Sequence, residues 1–168
     1  MKNKSKGKSA ATEDSAESLQ FAALPYQIDR QGTVRILLVT SRETGRWIIP
    51  KGWPMKGKPP HEAAAIEAFE EAGVVGEPTA RAIGMFEYWK RQESASTFCR
   101  VAVFPLPIER VDRRWPEETQ RERRFFDVEA AASLVEEPSL KRLIAAFRAP
   151  ENVEAEQGPV SRKDGVDA

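Results

Sequence analysis

The sequence predicts one domain of the α/β (α+β) class with a mixed β-sheet, and three observations predict it. Apolar runs of strand length are interleaved with helix-like stretches, so neither type forms a block of its own. The 168 residues are 40% apolar and 31% charged, enough for one compact core under a charged surface. The patterned stretch covers 19–149. Residues 1–18 and 150–168 are rich in Lys, Ser, Ala, Glu and Gly without periodicity and are expected to be disordered tails.

The elements follow in order. Residues 21–28 form a short apolar stretch that Asp29, Gln31 and Gly32 turn back. Residues 34–40 (VRILLVT) are β-branched and almost wholly apolar, the pattern of a strand buried on both faces. Residues 47–49 make a short strand stopped by Pro50, and a loop rich in Gly, Pro and Lys leads on to Pro60. A helix is expected over 60–72: Pro suits its first turn, Glu62 complements the dipole, and Gly73 ends it. Residues 80–88 and 97–104 read as two strands of a hairpin joined by the polar segment 89–96. A charged loop over 108–120, a strand over 124–128 and helices over 128–135 and 139–147 complete the domain.

Composition narrows the chemistry. Lys plus Arg (26) equals Asp plus Glu (26), which excludes a generally basic nucleic-acid wrapper. Cys99 is the single cysteine and His61 the single histidine, so a thiolate or imidazole metal cluster is unavailable and any metal is a hard cation held by oxygen. No apolar run approaches the roughly 18 to 20 residues a membrane span needs, and no apolar stretch follows the basic N-terminus. A cytoplasmic protein is expected.

The helix at 60–72 carries the strongest functional signal. At about 100° per residue, Ala64, Ala65, Ala68, Phe69 and Ala72 share one arc, which is expected to pack inward. Glu67, Glu70 and Glu71 fall on the opposite side at i, i+3 and i+4. Neighbouring like charges repel by a few tenths of a kcal/mol per pair. The residues alone leave two readings: a solvated acidic face, or a ridge holding a divalent cation. The Lys51–Gly52 loop upstream favours the second, since cations and loop amides beside carboxylates suit a metal-bound pyrophosphate.

Gly52, Glu67, Glu70, Glu71, Gly73 and Val74 stand at the spacing of the 23-residue Nudix box, with Ala68 in its apolar slot. In this respect the chain resembles the Nudix hydrolases. The resemblance implies a Nudix-type α/β/α sandwich with a glutamate-bearing helix. It also implies Mg²⁺ (or Mn²⁺) bound by Glu67, Glu70 and Glu71, with Glu67 a ligand or the residue that orients or deprotonates the attacking water. Two positions depart from the box: Lys58 replaces its first glutamate and Ile66 its arginine. Ile66 has no donor to hold the glutamate that follows, so Lys51, Lys56 or Lys58 is expected to supply the missing positive charge.

The segments Ser41-Arg42, 46–52, 83–87, Lys90-Arg91 and 121–126 are similar to the diphosphoinositol polyphosphate and diadenosine polyphosphate phosphohydrolases. Cations crowd these flanks, and guanidinium forks chelate phosphate oxygens while lysines act as point charges. The expected substrate-binding residues are Arg42, Lys51, Gly52, Lys58, Arg91 and Arg123, around a small polyphosphate substrate, with no nucleic acid and no membrane as partner. Trp53, Trp89 and Trp115 are loop anchors or partial core, or stack on an adenine. Glu117, Glu118 and Glu122 are solvated loop, or one of them supplies a further ligand or base. The alternatives to a diadenosine polyphosphate-like or diphosphoinositol substrate are an ADP-ribose or nucleotide pyrophosphatase, and a binding domain whose catalysis Ile66 and Lys58 have weakened.

Overall fold

The computed structural model describes residues 18–150, so the two tails expected from the sequence lie outside the described residues apart from Ser18 and Pro150. Strands β1 (Ser18–Ile28), β2 (Val34–Thr40), β3 (Trp47–Ile48), β4 (Lys51–Gly52), β6 (Gly84–Arg91), β7 (Ser96–Pro107) and β9 (Arg123–Asp127) form one seven-stranded sheet. Its main path runs β3-β2-β1-β7-β6, with β4 pairing β1 and β9 pairing β2. β1 runs parallel to β7 and antiparallel to β2 and β4, so the sheet is mixed, as expected. A small second ladder joins β5 (Val74–Val75) to β8 (Arg110–Val111).

Helices cover both faces of the sheet. Along β1 the side chains alternate: Ala22, Leu24 and Tyr26 pack with Ile36, Val101 and Val103 beneath α2 (Val128–Leu134) and α3 (Pro138–Ala146), which contribute Ala131, Leu140 and Ile144. Phe21 and Ala23 point the other way, with Leu37, Val39 and Phe104, toward α1 (Pro60–Ala72). Burial on both faces explains why β1 and β2 read as continuous apolar runs and not as alternating strands. The result is the α/β/α sandwich that the family resemblance implies.

Three local expectations are corrected. β1 starts three residues before Phe21 because Ser18, Leu19 and Gln20 pair with β7. β6 begins at Gly84, not at residue 80, and runs through Trp89, Lys90 and Arg91, which therefore lie in a strand and not in a linker. The hairpin turn is confined to four residues, where the Gln92 amide donates to the Ala95 carbonyl at 2.9 Å. On α1 the buried side is Ala63, Ala64, Ala68, Glu71 and Ala72, whereas Phe69 is 38% exposed and Ala65 only half-buried. The wheel placed the core-facing arc too far toward Phe69, because the contact with the sheet is made by the smaller alanines.

Among the described residues no helix is long and apolar enough to cross a membrane.

Candidate functional site

α1 begins with Pro60 at its first position and ends at Gly73, whose φ of 67° is left-handed and whose amide closes on the Phe69 carbonyl at 2.9 Å. These stops fix where the glutamates sit. β4, hydrogen-bonded to β1 through Phe21↔Gly52 and Ala22↔Lys51, brings Lys51 and Gly52 against the same helix. A Cβ built on Gly52 would overlap the Glu67 carboxyl, with Glu67 Cγ only 2.8 Å away. Glycine here is a requirement of close approach: it lets the Glu67 side chain lie directly on the β4 backbone.

The facing elements enclose a cleft of about 840 Å³. Glu67, Glu70, Glu71, Glu117 and Arg121 line one side, and Arg42, Lys51, Trp53, Trp89, Lys90 and Arg91 are among the residues completing it. Of the residues singled out from the sequence, the structure brings together Glu67, Glu70, Glu71, Arg42, Lys51, Gly52 and Arg91. Lys58 and Arg123 are not among the lining residues. Lys58 is exposed in the loop before α1. Arg123 instead stacks on Trp115 at 3.8 Å and donates to the Ala72 carbonyl at 2.8 Å. It satisfies an end carbonyl of α1, a structural duty that its sequence neighbours do not betray. Trp115 likewise faces the helix end, donating from Nε1 to the Glu71 carbonyl at 3.0 Å, so the loop-anchor reading holds for it.

Glu71 is the most enclosed of the three glutamates, at 6% exposed. Its Oε1 lies 3.3 Å from Arg121 Nη2 and its Oε2 3.4 Å from the Lys51 amide. Burial nevertheless pushes its carboxyl up to about 7 against the pull of Arg121 and Lys51. Glu67 also rises to about 7, first from burial and then from the charges of Glu71, Glu70 and Glu117. Burial lowers the Lys51 ammonium, Glu71 opposing it; its Nζ sits 4.9 Å over the Tyr88 ring, whose hydroxyl donates to Gln20. Excess negative charge and desolvation thus meet at one place in the cleft, a combination that recurs at functional sites and also in structural ion-pair networks.

That donor set fits a hard divalent cation. Among the described residues no group of three Asp, Glu, His or Cys side chains forms a ready cage for an ion. Mg²⁺ does not ask for one, since it is usually held through one or two carboxylates together with waters and substrate phosphates. Glu67, Glu70 and Glu71 supply oxygen ligands only, which suits that ion and not a soft one.

Sequence reasoning placed Arg121 in a general cationic cluster and missed its contact with Glu71, 50 residues away. Gln20 and Tyr88 were missed as well, because neither carries a spacing signal.

Residues 19–147 match the family model of the NUDIX domain. The chain belongs to the Nudix family. A mouse Nudix relative, diphosphoinositol polyphosphate phosphohydrolase 3-alpha, is 31% identical over 117 residues, covering 68% of this chain and 67% of the relative. Nudix hydrolase 13, mitochondrial, of Arabidopsis thaliana is 29% identical over 113 residues, 64% of this chain and 56% of that protein. The match thus spans little more than half of that longer plant relative. Among solved structures, a C. elegans Ap4A hydrolase superposes with a TM-score of 0.55 at 17% identity, over 77% of this chain and 94% of the other. That likeness supports the Nudix fold.

Proposed function

We propose that this Nudix domain hydrolyses a phosphoanhydride bond in a small polyphosphate, of the kind exemplified by a diadenosine polyphosphate or a diphosphoinositol polyphosphate, with Mg²⁺ as cofactor. The observation that carries the proposal is the convergence of Glu67, Glu70 and Glu71 with Arg42, Lys51 and Arg91 in one cleft. A bound Mg²⁺ would supply charge neutralisation of the phosphate oxygens and a lowered pKa for a bound water.

The protein's own residues do the rest. Arg42, 57% exposed at its side chain, and Arg91, on exposed strand β6, present guanidinium forks to phosphate oxygens. Lys51 adds a point charge at the floor. Glu70 and Glu71 are the main ligands, and Glu67, beside the Gly52 backbone, orients or deprotonates the attacking water. Rate then comes from positioning and charge stabilisation and needs no covalent chemistry with the enzyme.

Trp53 and Trp89, 41% and 59% exposed, both line the cleft, and Lys90 Nζ lies 4.9 Å over the Trp53 ring. Exposed indoles beside a phosphate site offer stacking to a base, which favours the dinucleotide over the inositol substrate. We retain the cytoplasm as the expected setting.

A Mg²⁺-dependent phosphate-release screen over diadenosine polyphosphates, inositol pyrophosphates, ADP-ribose and nucleoside triphosphates tests the proposal. Turnover of the first class is expected. Thermal stabilisation by a ligand without any turnover would identify a binding domain and reject it.

A further inference from the structure

We infer that Arg121 is the positioning residue of the glutamate ridge, supplying from the loop before β9 the fixed positive charge that Ile66 withdraws from the helix. The inference rests on the proposed reading of that ridge as a metal-binding surface.

Ile66 is half-buried in an apolar groove with Ala65, Phe69 and Val75, and brings no donor to the glutamates. Lys56 and Lys58, which the sequence offered as substitutes, are exposed in the loop ahead of α1. Lys51 donates to Glu71 through its amide, while its ammonium lies over Tyr88 and acts on Glu71 by Coulombic attraction alone. Arg121 does what none of these does. Its side chain is 6% exposed, and its fork divides: Nη1 donates to the Thr40 carbonyl at 3.0 Å, and Nη2 reaches Glu71 at 3.3 Å and Glu117 at 3.5 Å.

The end of β2, helix α1 and the loop before β9 are thereby tied through one guanidinium. A planar fork holds such partners in fixed directions, whereas an ammonium is a compact point charge on a flexible stem. Glu71 is held on both oxygens, by Arg121 and by the Lys51 amide, with a carboxylate's remaining lone pairs available to a cation. Partners of this kind orient metal ligands and tune them. Enclosure separates the role of Arg121 from that of Arg42: Arg42 also pairs with Glu117, at 3.2 Å, but its side chain is 57% exposed and open to a substrate phosphate, whereas Arg121 is enclosed among protein oxygens.

The test is Mn²⁺ binding followed by electron paramagnetic resonance, with Mg²⁺-dependent turnover and thermal melts, in wild type, Arg121→Ala and Arg121→Lys. Arg121→Ala is expected to weaken Mn²⁺ binding by about 10- to 100-fold and to lower kcat alongside, with KM for a polyphosphate nearly unchanged. Arg121→Lys is expected to recover only part of both, since it keeps the charge and loses the fork. Removal of a mere repelling charge predicts the opposite sign, tighter Mn²⁺ binding. Equal or tighter binding in Arg121→Ala, or a loss confined to KM, overturns the inference. Should the alanine variant fail to fold, wild-type affinity and kcat in Arg121→Lys overturn it instead. A wild type that neither binds Mn²⁺ nor turns over any polyphosphate brings down the proposed function itself, and this inference with it.

Discussion

Gly52→Ala tests how the site is built with a single methyl group. The added Cβ falls on the Glu67 side chain, 2.8 Å from Cγ and nearer still to the carboxyl. Carbon atoms in contact sit about 3.5–4 Å apart, so Glu67 has to retreat by roughly 1 Å or more. Gly52 belongs to β4 and lies outside the left-handed region, so the substitution introduces no backbone strain. The half-buried Glu67 can give way by leaving its preferred rotamer, at a cost of about 0.5–1.5 kcal/mol. That predicts a melting temperature lower by no more than a few degrees. Catalysis should suffer far more, because about 1 Å of misplacement costs on the order of 10²-fold, some 2.7 kcal/mol in the barrier. The assay is kcat at saturating Mg²⁺ alongside a thermal melt. Gly57→Ala is the control: with a φ of 74° and no atom within 4 Å of its Cβ, it should cost about 1–2 kcal/mol of stability and leave kcat alone. Wild-type kcat in Gly52→Ala, or a loss matched by the control at equal destabilisation, would refute the reasoning.

Other outcomes follow from the same geometry. Glu70→Gln and Glu71→Gln should each remove most hydrolysis while the melt of α1 is retained; near wild-type rates in Glu71→Gln at saturating Mg²⁺ would contradict the assignment. Burial raises Glu71 from 4.5 to about 7, so the folded state holds this proton more tightly than the unfolded chain does. Its contribution is therefore full below about pH 4.5 and lost as pH rises through 7, about 3 kcal/mol across the window. Mg²⁺ binds the ionised form, so the Mg²⁺-induced rise in melting temperature should be larger at pH 8 than at pH 5, and equal shifts at the two pH values would count against it. Trp89→Ala should raise KM for a dinucleoside polyphosphate by roughly 5- to 150-fold, about 1–3 kcal/mol being typical of base stacking, and leave KM for an inositol pyrophosphate unchanged. Asp127→Ala, which removes the side-chain acceptor of the Ala130 amide at 2.7 Å, should cost about 1 kcal/mol of stability without changing kcat.

How much of this was legible in the sequence depended on whether the signal was local. α1 is bounded by Pro60 and Gly73, and its ends were readable because capping is a property of a few adjacent residues. β2 was readable for a related reason, since burial on both faces writes a continuous apolar run. β6 was harder: only Phe86 along it is fully buried, and Glu87, Trp89 and Arg91 point to solvent, so the end of an edge strand looked like a loop. Phe69 was misplaced because a helical wheel reports which residues share a face and not which face meets the sheet. At the site, the ridge and its opposing cations were visible as spacing and cluster. Arg121, Gln20 and Tyr88 were not, since their roles arise from contacts across 50, 68 and 68 residues of chain. Arg123 is expected at the substrate by the resemblance of its segment to the polyphosphate phosphohydrolases, while tertiary packing commits it to Trp115 and the Ala72 carbonyl.

The central claim, that the α1 carboxylates are there to hold a divalent cation against a phosphate chain, is met most directly by crystals soaked in MnCl₂ with a non-hydrolysable dinucleoside polyphosphate and measured for anomalous scattering. The account predicts a manganese peak at Glu70 and Glu71 in contact with phosphate oxygens. Anomalous density elsewhere, with phosphates bound and those side chains bare, would contradict it.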